Sequence, residues 1–366
     1  MKRPVTERAP RRPVVPRRIG TRPAATDGSG LPHVDLVTGA LSEVLQYVAR
    51  PVSNTLADLH VYAGRPLAAL FPAPRQVPQM TVRRRWRLPG LISEDLVFRS
   101  LHVPIEPKFR RRYLENYRET HLVYARRIRP AGTERRPRVL YLHGYLQPET
   151  YIEEFALLAS MALQLDTEVI QIQFPYHGRR TPRGSRFSGE YYWTADLVRS
   201  FEALRQSVLD ARTLLSCLLK EDARPVGVAG LSLGGALTAG LTCLEERFAF
   251  SVLLIAHMDL GALMSDAPVL RKMRRDLKAF GWGRAEFAAF VDSVGWSALL
   301  PKLPADRILI MAASNDRFFD PRVVERMWKR WGKPAISWYP SSHMGFLPHL
   351  PAAWRTMREF IDRAAA

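Results

Sequence analysis

The chain has 366 residues, 47% of them hydrophobic, enough to bury the core of one large domain or of two. An excess of 54 Lys and Arg over 35 Asp and Glu gives a formal charge of +19, which bears on solubility and anionic partners and leaves the fold open. Cys217 and Cys243 lie far apart without the spacing of a metal-ligand set, which argues against a disulfide framework or a zinc site and for two reduced thiols in a cytoplasmic protein.

Residues 1–30 carry eight basic and two acidic side chains and no apolar core of the kind a secretory signal needs. Prolines at 4, 10, 13 and 16 would break the amphipathic helix of a transit peptide, so this segment reads as a disordered basic tail. Residues 31–80 follow as a helical arm. Two apolar-periodic segments, 33–49 and 52–71, are separated by Pro51 and closed by "FPAPRQVPQ", and no role is legible for them.

Between 81 and 140 there are sixteen basic and six acidic side chains. With few interleaved aromatics and no nucleic-acid-binding motif, these arginines read as solvated and no nucleic-acid partner is expected. Peripheral contact with an anionic membrane is compatible with the charge. Short runs such as "THLVYARRI" (120–128) suggest an antiparallel entry into a sheet.

From 137 onward the pattern is regular. Strands are expected at 138–142, 167–174, 225–229, 250–256, 307–313 and 335–339, with helices at 148–165, 191–220, after Ser232, at 321–331 and from 351. Leu197, Phe201, Leu204, Val208, Leu215 and Leu219 give the long helix one apolar face. Continuous apolar strands alternating with helices predict an α/β protein with a mostly parallel, doubly wound sheet. The interval 257–306 is expected to form a helical cap, with "LRKMRRDLKAFGW" as a basic amphipathic helix.

The uncharged stretch "VGVAGLSLGGALTAGLTCL" (226–244) is long enough to span a bilayer, yet its five glycines, two threonines and serine make it a poor membrane helix. It reads better as a buried strand, a tight turn and a buried helix. Gly230 and Gly234 frame Ser232 at the turn, where crowding disfavours a Cβ, and Gly235 lets the helix pack close to the strand. A serine so placed is a candidate nucleophile, and it needs a base and an acid to orient that base.

Both are available in the order Ser, Asp, His. Asp316 follows the strand "RILIMAA" and His343 follows "AISWY", each at the edge where parallel sheets place their sites. Asp320 competes for the acid's role, but it stands before Pro321 at the start of a helix and so has a capping reason of its own. The loop "HGYLQPE" after the first parallel strand would supply one oxyanion donor, the amide of Tyr145 with Leu146 as its alternative. Gly144 would shape that loop and His143 orient it. The second donor would be the amide of Leu233.

His143-Gly144, Gly230-x-Ser232-x-Gly234, Asp316 and His343 together resemble the α/β-hydrolase superfamily over about 120–366, with a hydrolase domain running from 81 to 366. The segment "FPYHGRRTPRGSRFSGEYYW" is similar to that of little-characterised α/β-hydrolase domain-containing proteins with an HGRR-like loop. Arg179 and Arg180 in that loop would either grip an anionic substrate group or hold the loop through backbone carbonyls. His257 could line the pocket. The expected function is cleavage of a carboxylic ester or related small acyl compound, lipid-like ones included, without metal or cofactor. A peptidase or thioesterase on the same residues, or a non-catalytic binding protein of this fold, is the alternative.

Overall fold

The computed structural model of the chain describes residues 35, 37, 40, 44 and 47–364. The tail expected at 1–30 lies outside the described residues, as does most of the segment 33–49; within the latter Asp35, Val37, Ala40, Val44 and Tyr47 are helical.

Nine strands form one sheet in the order β1-β2-β3-β5-β4-β6-β7-β8-β9. The antiparallel entry consists of β1 (Thr81–Leu88), β2 (Leu91–Arg99) and β3 (Leu122–Pro130). Strand β3 joins β5 (Glu168–Ile172) antiparallel, and from there every pairing is parallel, through β4 (Arg138–Leu142), β6 (Val226–Leu231), β7 (Ser251–Leu254), β8 (Ile308–Ala313) and β9 (Ala335–Tyr339). After β4 the chain crosses to β5 on one side and then returns to β6 on the other. Connections leaving β4 and β6 therefore diverge, opening a crevice at their carboxyl ends.

Helix α1 (Pro107–Asn116) precedes β3, and α2 (Ser160–Leu165) continues a π-helical segment, Glu153–Ala159. Helices α3 (Leu197–Glu221) and α4 (Leu233–Leu244) flank β6, and α5 (Leu260–Asp266), α6 (Arg271–Ala279) and α7 (Arg284–Ser293) make the insertion between β7 and β8. Helices α8 (Pro321–Arg330) and α9 (Leu350–Ala364) complete the chain. Met161 and Leu165 of α2 pack with Trp354, Met357 and Phe360 of α9 on one face of the sheet. The other face is covered by α3, α4 and the insertion. The central strands β4 to β8 bury both faces, as continuous apolar runs require.

The segment 52–71 departs from a continuous helix. It forms a 3-10 helix, Leu56–Val61, and a single turn, Leu67–Leu70, because Gly64 takes a positive φ of 68° and Pro66 follows two residues later. Leu59, Tyr62, Leu70 and Phe71 are buried in the main core, so the segment is a strap and not a free arm. That strap explains a second departure. Every residue of α3 from Leu197 to Leu218 is buried, polar ones included, where one apolar face was expected.

The polar face of α3 is matched group by group. Glu202 accepts from the Tyr62 hydroxyl at 2.6 Å and the Ile105 amide at 2.7 Å and pairs with Arg205, which holds its carboxyl down near about 2 against the opposing effect of burial. Arg205 in turn donates to the Leu70 carbonyl, and Arg212 to that of Phe71. Nor are the arginines of 81–140 all solvated. Arg126 pairs with Asp95, Glu149 and Glu154; Arg127 pairs with Glu94 and Glu221; Arg138 is fully buried against the carbonyls of Leu218 and Arg224. Several of their partners come from distant segments, which a local charge count does not register. On the edge strand β1, Arg83, Arg84 and Arg87 are exposed.

Candidate active site

Ser232 sits between β6 and α4 with φ 57° and ψ −115°, a conformation that strains a residue bearing a side chain. The flanking residues can be nothing larger than glycine. A Cβ on Gly230 would fall 2.2 Å from the Gly234 carbonyl oxygen, and one on Gly234 would fall 2.0 Å from that of Leu142. This crowding fastens the turn to the end of β4, beside the crevice. Gly235 is also confined, by Ala256 just past the end of the neighbouring strand β7.

The Ser232 hydroxyl lies 2.9 Å from Nε2 of His343, and Nδ1 of His343 lies 2.8 Å from Oδ2 of Asp316. The other Asp316 oxygen accepts the amides of Phe318 at 2.7 Å and Phe319 at 2.8 Å, which fixes the carboxylate's orientation. Asp320 instead accepts the Arg322 amide at 2.8 Å and caps α8. The structure thus brings Asp316, and not Asp320, to the histidine.

Phe318 and Phe319 have a second function that sequence reasoning missed. Their rings stack near-parallel with the His343 imidazole, at 4.6 and 5.5 Å between centroids. The two aromatics two and three residues after the acid in "NDRFF" are a visible signal, but nothing in the sequence says that they would face the base.

The loop after β4 lies over Ser232: a Cβ on Gly144 would be 3.9 Å from Cβ of Ser232. Leu146 takes a positive φ of 63°, turning the loop just beyond Tyr145. Leu233 opens α4, so its amide belongs to the first turn, where amides have no partner within the helix. His143 is buried and accepts the Phe174 amide on Nε2 at 3.1 Å, so Nδ1 carries the proton and donates to the Gly144 carbonyl at 2.7 Å. Burial depresses its pKa to about 4, which keeps the ring neutral. It fastens the loop to the end of β5.

The two arginines of the HGRR-like loop are engaged by protein groups. Arg180 is fully buried, pairs with Asp210 at 2.7 Å and donates to the carbonyls of Gln173 and Thr120, both at 2.8 Å. Arg179 pairs with Glu149 and Asp95, both at 3.0 Å, and lies over the Tyr124 ring. Both guanidinium groups hold the loop in place. His257 is buried with its ring 5.0 Å from that of Phe319, and burial depresses its pKa to about 4.

A small cleft of about 20 Å³ opens beside Tyr145, between the 187–194 loop and helix α6. Phe187, Tyr191 and Trp193 form its aromatic side, and Lys272, Met273 and Asp276 of the insertion form the other. Helix α6 of the insertion thus lines this cleft together with Tyr145, and Ser232 is not among the residues lining it. Among the described residues no cluster of His, Cys, Asp or Glu could hold a metal ion, and no helix is long and apolar enough to cross a membrane.

Residues 139–361 match the model of the alpha/beta hydrolase family. The chain belongs to that family. It is 32% identical over 341 residues to the uncharacterized protein Rv2627c of Mycobacterium tuberculosis (strain ATCC 25618 / H37Rv), a match covering 86% of this chain and 77% of that protein. Among solved structures, the acetyl xylan esterase from Paenibacillus sp. R4 superposes with a TM-score of 0.54 at 17% identity, covering 88% of this chain and 98% of the other. Acetyl xylan esterase 1 from Thermoanaerobacterium sp. JW/SL YS485 gives 0.54 at 15% identity, covering 87% and 98%. These two likenesses establish a shared fold.

Proposed function

We propose that this α/β hydrolase cleaves a carboxylic ester or related acyl compound through an acyl-enzyme on Ser232. The observation that carries the reading is the unbroken row from the Ser232 hydroxyl through the two nitrogens of His343 to Asp316, with both distances within hydrogen-bonding range. Neutral His343, its Nδ1–H held by Asp316, offers Nε2 to the serine proton as Oγ attacks the acyl carbon. The same nitrogen returns that proton to the leaving group. Water then enters by the same route and releases the acid.

Negative charge developing on the substrate oxygen falls to the amides of Leu233 and Tyr145, at the start of α4 and in the loop over Ser232. The positive end of α4 adds to their effect. The esterases among proteins of like fold agree with ester cleavage. Turnover of p-nitrophenyl and thioester substrates of graded chain length by the wild type and Ser232→Ala tests the reading. Equal turnover by the two proteins would overturn it.

A further inference from the structure

Asp35 belongs to the amino-terminal segment for which the sequence offers no role, and its side chain is fully buried. One carboxylate oxygen accepts the backbone amide of His343 at 2.8 Å and that of Arg317 at 3.3 Å; the other accepts the Met344 amide at 2.8 Å. The partners lie 282 to 309 positions away in sequence. Two of them are His343 itself and its neighbour, and the third directly follows Asp316.

Those amides need an acceptor. His343 has helical φ and ψ of −57° and −59° and leads into the 3-10 helix Met344–His349, so its amide and that of Met344 stand at a helix start without partners inside it. A residue's own loop ordinarily supplies the cap. Here the local hydroxyl, Ser342 Oγ, takes the amide of Gly345 instead, and the carboxylate for the two preceding amides comes from the other end of the chain.

We propose that Asp35 is a positioning residue for the base: it clamps the His343 loop to the Asp316 loop, so that one residue from far upstream in the chain completes the active site. The proposal rests on the hydrolase reading above for its effect on rate, but not for the geometry. An imidazole 2.9 Å from the serine hydroxyl has little latitude, and a displacement of about 1 Å lowers turnover by about 10²-fold.

In the full chain, Asp35→Ala is expected to lower kcat by about ten- to a hundred-fold while KM stays within about threefold. Asp35→Asn should fall between it and the wild type, because its single carbonyl oxygen can accept only part of what two carboxylate oxygens do and its NH₂ opposes an amide. The proton NMR resonance of His343 Nδ1–H, assigned by its loss in Asp316→Ala, should shift or broaden in both Asp35 variants. Thermal melts confirm that each variant is folded; if Asp35→Ala is not, Asp35→Asn decides on the same criteria. Wild-type kcat in folded variants, or a rise in KM with kcat and the resonance unchanged, overturns the proposal. Should the wild type turn over no ester, a resonance displaced in the Asp35 variants still supports the clamp, and it is the hydrolase reading that fails.

Discussion

Replacing Asp316 by Asn separates the tautomer argument from simple loss of charge. In the structure one Asp316 oxygen accepts two backbone amides, at 2.7 and 2.8 Å, and the other faces His343 Nδ1 at 2.8 Å. An asparagine must place its carbonyl oxygen toward the two amides, since its NH₂ there would face two donors. The NH₂ then meets Nδ1 and forces that nitrogen to accept. The proton moves to Nε2, which can no longer take the proton of Ser232. Turnover should fall by about 10⁴, equivalent to about 5 kcal/mol of transition-state stabilisation, with the fold intact.

The assay is kcat and kcat/KM on an activated ester, alongside the rate of labelling by a serine-directed phosphonate. Asp320→Asn is the matched control: its amide oxygen can still accept the Arg322 amide at the start of α8, where Asn caps about as well as Asp, and it should leave kcat unchanged. An Asp316→Asn protein retaining more than about a tenth of wild-type kcat, or an Asp320→Asn protein losing it, would refute the reasoning.

Removing the carboxylate of Asp210 strands the fully buried Arg180 guanidinium, and Asp210→Ala should lower the unfolding free energy by about 3–5 kcal/mol; a urea midpoint within error of the wild type would contradict the buried pair. Stability should also fall as the medium is acidified. Burial holds His143 and His257 near about 4 against an ordinary 6.5, so the unfolded chain binds more protons between those values. Their stabilising contribution is complete above about pH 6.5 and is lost as pH falls toward about 4, at about 3 kcal/mol for each ring. Denaturant midpoints measured across that window should decline, and less steeply for His257→Asn; a flat profile would contradict it.

What was legible in the sequence follows a physical divide. The parallel strands announced themselves because a strand buried on both faces must be apolar throughout, as "RVLYL" and "RILIMAA" are. The turn at Ser232 was legible because its conformation leaves glycine no substitute at 230 and 234. Asp316 and Asp320 could be told apart in advance, since the proline after Asp320 supplied a capping reason. The strap 52–71 was harder: its apolar spacing imitates a helix, while the actual interruption lies in the backbone at Gly64 and Pro66. Buried arginines such as Arg126 and Arg180 were illegible because their partners come from other segments, and a sequence window sees only a basic run. Asp35 is the extreme case. Its partners are backbone amides, which leave no residue-type signature at the far end of the chain.

The most direct test of the account is the fate of Ser232. A fluorophosphonate probe should label the wild-type protein at Ser232, identified by mass spectrometry of the modified peptide, with loss of ester turnover in proportion to labelling. Ser232→Ala should take up no probe and lose turnover by about 10⁴-fold or more while melting as the wild type does. Undiminished labelling or turnover in that variant would contradict the assignment of the nucleophile and, with it, the function proposed for the site.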